Sequence, residues 1–266
     1  MASTPRPIAF ILASTDHGTM IVNRFDYKMV GASQGFGVGH MLLTHSQYDP
    51  SEASMVTQLL DARRRHFGNG VVALDIGANI GVFTVEWARH MTGWGEVLAF
   101  EAQMRVFHAL CGNVAINNCF NARPVFGAVT REPGEMRIPV PNYFQPGSFG
   151  SLELQDRPGK EDIGQPIDYS EAQTMVVPAR SIDSLGLARV DLMKIDVEGM
   201  EAEVLEGARQ TVTRSLPIMV IEKIKSDEAG LTQYLEALGY RTFLVGLNIL
   251  GIHPTDPTLN IVSVSQ

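Results

Sequence analysis

The chain has 266 residues, enough for one large α/β domain or two small ones. Hydrophobic residues make up 45% and charged residues 19%, which excludes wholesale disorder and fibrous or collagen-like classes. Twenty-one Lys and Arg against 29 Asp and Glu leave a formal charge of −8, which opposes attraction to nucleic acid or anionic lipid.

Residues 1–48 read as an N-terminal elaboration. Apolar stretches at 8–13 and 20–25 flank the turn-like segment 14–18, which predicts a hairpin, and a Gly-rich loop follows at 31–39. The apolar run 7–13 falls short of a signal sequence and further short of a membrane span. With only Cys111 and Cys119, too few for a disulfide scaffold or a Cys-rich zinc site, the expected setting is the cytoplasm, with neither nucleic acid nor membrane as partner. Asp49 is placed to cap a helix running to about residue 66, with Pro50 at its first position and Glu52 three residues past the cap.

From residue 71 the pattern changes to alternating strand and helix, the signature of a mostly parallel sheet with crossover helices. Strands are predicted at 71–75, 97–101, 123–129, 190–196 and 218–222. Helices are predicted at 81–91, around Val106 to Val114, at 199–212 and at 228–238, where Gly239 ends the run. Two terminal strands, 241–245 and 260–264, lack an intervening helix and should pair antiparallel. Residues 131–178 break the rhythm and read as an insertion on the sheet's rim, with strands of its own at 135–140 and 173–178. The division expected is therefore an N-terminal elaboration, 1–48, and one domain, 49–266, carrying that insertion.

The first chemical signal is an apolar strand ending in Asp75, followed by Gly77, Asn79 and Gly81 at the start of a helix. Such a turn lets backbone approach a ligand closely, but the middle glycine of GxGxxG is missing, so a pyrophosphate cradle is not spelled out. A sulfonium nucleoside, with an amino acid end and a ribose but no phosphate, fits better. Glu101 ends the next strand about 20 residues on, where ribose-binding acids sit in doubly wound sheets. The second signal is the strand carrying Lys194 and ending in Asp196 and Glu198 before Gly199. A lysine in a sheet buried on both faces needs a partner, and Asp196, two residues on, points to the same face. The dipole of the following helix would by itself favour acids here; the alternative is that they ring the ligand crevice at the strand ends.

These stretches, 75–81, 100–102 and 194–199, with 204–208 behind them, resemble the FkbM-type branch of class I S-adenosylmethionine-dependent methyltransferases. The resemblance covers roughly residues 50–245. It implies a Rossmann-like, seven-stranded, mostly parallel sheet with helices on both faces and an antiparallel C-terminal strand. It also implies S-adenosylmethionine as donor and O-methylation of a small, sugar-like or polyketide-like acceptor. Carried over, Asp75, Gly77, Asn79 and Gly81 would line the donor's methionine end, and Glu101 would hold its ribose. Glu52 resembles an acid found before the core, although a capping box also accounts for it. Ser148, Gly150, Ser151 and Leu152 resemble a small-residue segment of the family's insertion.

Methyl transfer to oxygen requires a base for the acceptor's proton. Asp196 is the first candidate, grouped with Glu198 and Lys194, and His40 and His45 stand in reserve. Asp196 with Glu222 could instead hold Mg²⁺; Lys223 beside them argues against it, and the ion is not expected. Two other readings stand beside this one: an NAD(P)-dependent oxidoreductase, weakened by the missing glycine, and a non-catalytic S-adenosylmethionine-binding protein.

Overall fold

A computed structural model describes residues 7–31 and 34–261. The chain begins with the hairpin β1 (Phe10–Thr15) and β2 (Gly18–Asn23), then the short pair β3 (Lys28–Val30) and β4 (Gln34–Phe36). Helices α1 (Val38–His45) and α2 (Pro50–Phe67) follow. The alternating region comprises β5 (Val71–Ile76), α3 (Val82–His90), β6 (Gly95–Glu101), α4 (Met104–Ile116) and β7 (Ala122–Phe126). After it come β8 (Ala128–Val129), β9 (Gly134–Pro139) and β10 (Thr174–Arg180). The chain continues through β11 (Leu192–Ile195), α5 (Glu201–Gly207), α6 (Arg209–Ser215), β12 (Ile218–Glu222), α7 (Glu228–Ala237), β13 (Arg241–Val245) and β14 (Asn248–Ile252).

The main sheet has seven strands in the order β13-β14-β12-β11-β5-β6-β7. Strands β12, β11, β5, β6 and β7 run parallel, and β14 is antiparallel to both its neighbours. Alternation along the central strands sorts the core into two faces. Val71, Ala73, Leu192 and Val220 pack with Val56 and Leu60 of α2 and Val82 and Val85 of α3. Val72, Leu74, Ile76, Met193, Ile195 and Ile221 pack with Val204, Val212, Leu231 and Leu235 from α5 to α7. The β1–β2 hairpin adds Met20 and Val22 to the first face. It is held there by Asn113 of α4, whose side chain accepts the Ile21 N–H at 2.5 Å and donates to the Ile80 carbonyl at 2.7 Å.

Several elements depart from expectation for physical reasons. The predicted strand 123–129 breaks at Gly127, φ 138°, where a Cβ would lie 2.4 Å from the Pro178 carbonyl oxygen. Beyond that kink, β8 joins a second sheet ordered β8-β10-β9. The predicted helix 199–212 is two helices, because Asp183 from a distant turn accepts the N–H groups of Gln210 and Thr211 and caps α6. Part of the Gly-rich loop is α1; Asp26 accepts the Gly39 N–H at 2.8 Å and ties that helix to the insertion through the Phe149 N–H at 2.9 Å. The partner of β13 is not 260–264 but β14, reached through a turn at Gly246, φ 57°. Residues 257–261 form a 3₁₀ turn, and 262–264 lie outside the described residues. Among the described residues, no helix is long and apolar enough to cross a membrane.

Candidate active site

Register places the buried charges. Asp75 and Lys194 are partners on adjacent parallel strands and share the face of Ala73 and Leu192, beneath α2 and α3. Lys194 Nζ lies 2.8 Å from Asp196 Oδ2, 3.7 Å from Glu52 Oε1 and 5.0 Å from the centre of the Phe83 ring. Against the opposing pull of burial, Asp196, Glu52 and Asp75 together raise the Lys194 pKa and keep it an ammonium. Glu52 does not close a capping box: its carboxylate faces Lys194 and accepts from Asn248 Nδ2 at 2.8 Å, while Asp49 alone caps α2. Asp75 accepts from Thr84 Oγ1 at 2.5 Å, and burial pushes its carboxyl up to about 6.

The turn after β5 is shaped by its neighbours. A Cβ on Gly77, φ 88°, would fall 1.7 Å from the Asp196 carbonyl oxygen, so only glycine lets the turn pass beneath the end of β11. Gly77 and Ala78 donate their N–H groups to the Phe100 carbonyl at 3.0 and 2.8 Å. Asn79, also left-handed at φ 51°, donates its N–H to Glu101 Oε2 at 3.0 Å, and the Gln103 N–H reaches Oε1 at 2.7 Å. Burial pushes Glu101 up to about 7, with those backbone donors pulling the other way.

The strand ends open onto a cavity of about 530 Å³. Gly77, Asn79, Glu101 and Gln103 line one end, and Lys194, Asp196, Glu198 and Glu222 line the other. The insertion contributes Ser148, Gly150, Ser151 and Leu152, and the N-terminal segment contributes Phe36, Met41 and Tyr48. Asp75, Gly81 and Glu52 are not on the wall: Asp75 and Glu52 sit behind it, neutralising Lys194, and Gly81 opens α3 against Leu110. His40 and His45 are also off the wall; His45 is an exposed residue in the last turn of α1.

At the acidic end, carboxylate oxygens of Asp196, Glu198 and Glu222 all lie within 4.8 Å of one another, the spacing a divalent cation needs. Two of the three already face ammonium groups. Lys194 holds Asp196, and Lys225 Nζ lies 2.5 Å from Glu198, 3.0 Å from Glu161 and 2.7 Å from the Ser151 carbonyl. Burial and then the Asp196 charge push Glu198 up to about 8 and Glu222 up to about 9. Lys223, which the sequence set beside this cluster, turns away to Glu228 at 2.7 Å. Sequence reasoning missed Lys225 and Tyr48, because neither belongs to a motif and each reaches the site from a loop.

The model of the methyltransferase FkbM domain matches residues 75–242. Methyltransferase 1 of Beauveria bassiana (strain ARSEF 2860) is 28% identical over 179 residues, taking in 63% of this chain and 71% of that protein. Methyltransferase sdnD of Sordaria araneosa is 25% identical over 186 residues, 62% of this chain and 70% of its own. The crystal structure of Methyltransferase FkbM from Methylobacillus flagellatus KT has the same fold, with a TM-score of 0.50 at 16% identity. That likeness covers 69% of this chain and 44% of the other, so the chain spans less than half of that protein. Since the matched segment takes in more than half of the chain and holds the Gly77 turn, Glu101, Asp196 and Glu222, the chain belongs to the FkbM family of methyltransferases.

Proposed function

We propose that the protein transfers a methyl group from S-adenosylmethionine to a hydroxyl of a small acceptor, with Asp196 taking the acceptor's proton. The observation that carries this reading is that Glu101 and Asp196 open onto one cavity from two strand ends, with the Gly77 turn between them. The residues present fit the donor. Each Glu101 oxygen accepts one backbone N–H and keeps lone pairs for a ribose diol. Phe100, Ala102, Ala128 and Leu152 give that end of the cavity apolar walls for a flat base. The carboxylates at the far end suit a positive sulfur.

When bound, the donor supplies a methyl carbon already activated by that positive sulfur. The protein's share is orientation and proton removal. Lys194 fixes Asp196 through Oδ2, and among the described residues Oδ1 has no hydrogen-bond partner, so it is able to accept the hydroxyl proton. The chemistry of the turn favours this reading over a nicotinamide enzyme, since the middle glycine of the dinucleotide fingerprint is Asn79 here.

The test is incubation with methyl-labelled S-adenosylmethionine and a panel comprising a simple phenol, a sugar glycoside and a long-chain alcohol. Label in a new methyl ether is the expected result. Bound donor with no label transferred, or label on nitrogen or carbon, would overturn O-methylation.

A further inference from the structure

Tyr48 stands on the cavity wall immediately before the cap of α2, its ring edge-on to Phe83 at 6.0 Å. Lys194 Nζ lies 5.0 Å from the centre of that same Phe83 ring, and Lys194, Asp196 and Glu222 line the cavity together with Tyr48, so Tyr48 belongs to its acidic end. Burial, and then Asp196, raise its pKa and keep it an O–H donor. Among the described residues that side chain makes no hydrogen bond to the protein, although its backbone is held firmly. The Tyr48 N–H donates to His17 Nε2 at 2.9 Å. Because Nε2 accepts, the imidazole proton lies on Nδ1, which donates to Glu86 Oε1 at 2.8 Å. His17 is 4% exposed at the tip of the β1–β2 hairpin, and Arg89 of α3 holds its carbonyl at 3.1 Å. The hairpin thus reaches across α3 to fix one cavity-facing phenol that is free to bind something else.

We infer that Tyr48 orients the methyl acceptor, its phenol O–H donating to the oxygen that receives the methyl group, and that His17 is a positioning residue acting through Tyr48. The inference rests on the O-methyl transfer proposed above. A hydroxyl oxygen has one hydrogen and two lone pairs. With the hydrogen directed to Asp196 and one lone pair engaged by Tyr48, a single lone pair remains for the new C–O bond. Two protein contacts suffice to aim it, which is the entropic share of catalysis an acceptor pocket can supply.

The experiment compares wild type, Tyr48→Phe, His17→Asn and the double variant. It uses the best-methylated compound of the panel and calorimetric titration of S-adenosylmethionine. Tyr48→Phe is expected to lower kcat/KM for the acceptor about tenfold, the worth of one hydrogen bond, with the donor Kd unchanged. His17→Asn should lower it too, but add less than about twofold in the Tyr48→Phe background, since it acts through that phenol. Unchanged turnover in Tyr48→Phe, or a parallel loss of donor affinity, overturns the orienting role; additive losses overturn the link to His17. Should Tyr48→Phe fail to fold, 3-fluorotyrosine at position 48 keeps the shape and strengthens the donor. It should then change kcat by about twofold or more, and no change overturns the inference. A wild type that binds donor but methylates nothing in the panel overturns the parent reading and this one together.

Discussion

At Glu101 a carboxyl group is buried among backbone donors and pushed up to about 7, so near neutrality it is part protonated. Ribose hydroxyls would favour its anion, so donor binding should release a proton below pH 7. Affinity for S-adenosylmethionine should therefore rise with pH, approaching tenfold per unit below about 7, and level off above it. Calorimetry across that range checks this; Glu101→Gln should bind weakly with the slope gone, and a flat wild-type profile would contradict it. Asp196→Asn should lower kcat by about 10² to 10⁴ while weakening donor Kd by less than about tenfold, the share of one of three acids facing the sulfur, as steady-state kinetics beside calorimetry would show. The identities of these acids were legible in the sequence because each ends an apolar strand. The layer each occupies was not: Asp75 and Glu52 lie behind the wall because α2 and α3 close over Lys194, a packing outcome that no spacing encodes.

Among the elements, those whose apolar period switches cleanly from two to three-and-a-half were readable from the chain, and β5, α3, β6 and α4 lie where expected to within a few residues. The failures share a cause, a remote group deciding a local shape. Asp183 splits α5 from α6, the Pro178 carbonyl admits only glycine at position 127, and β14 exists because β12 and β13 both pair with it. Removing the remote cap in Asp183→Ala should cost about 1 kcal/mol and lower Tm by about 2–4 °C without touching donor affinity. Gly77→Ala is a different case. A methyl group 1.7 Å from the Asp196 carbonyl oxygen must displace the turn itself, so both stability, by more than about 2 kcal/mol, and donor binding should fall. A variant with wild-type Tm and Kd would show that the turn is looser than its geometry.

For the molecule as a whole, six buried or half-buried carboxyls share one direction of shift: Asp26 and Asp75 to about 6, Glu101 to about 7, Glu198 to about 8, Glu222 to about 9, and Glu52, raised by burial. Each holds its proton more tightly folded than unfolded, so the folded state binds more protons between their ordinary values and these. Stability should fall as pH rises from about 5 to about 9. Lys194, raised above its ordinary value, stays charged in both states over that window and does not alter the sign. Thermal melts of the free protein should show the decline, and a Tm that climbs toward pH 9 would contradict it. The surplus of acid at the site is what a positively charged sulfur would relieve, so the same donor that reacts should also stabilise.

The most direct measurement is a calorimetric titration of S-adenosylmethionine, and separately of NAD, into the protein at pH 8, with Glu101→Ala alongside. One donor per chain, bound by wild type and largely lost in the variant, with no heat from NAD, is the outcome these structural assignments require. Silence with the sulfonium compound, or binding of NAD in its place, would contradict them.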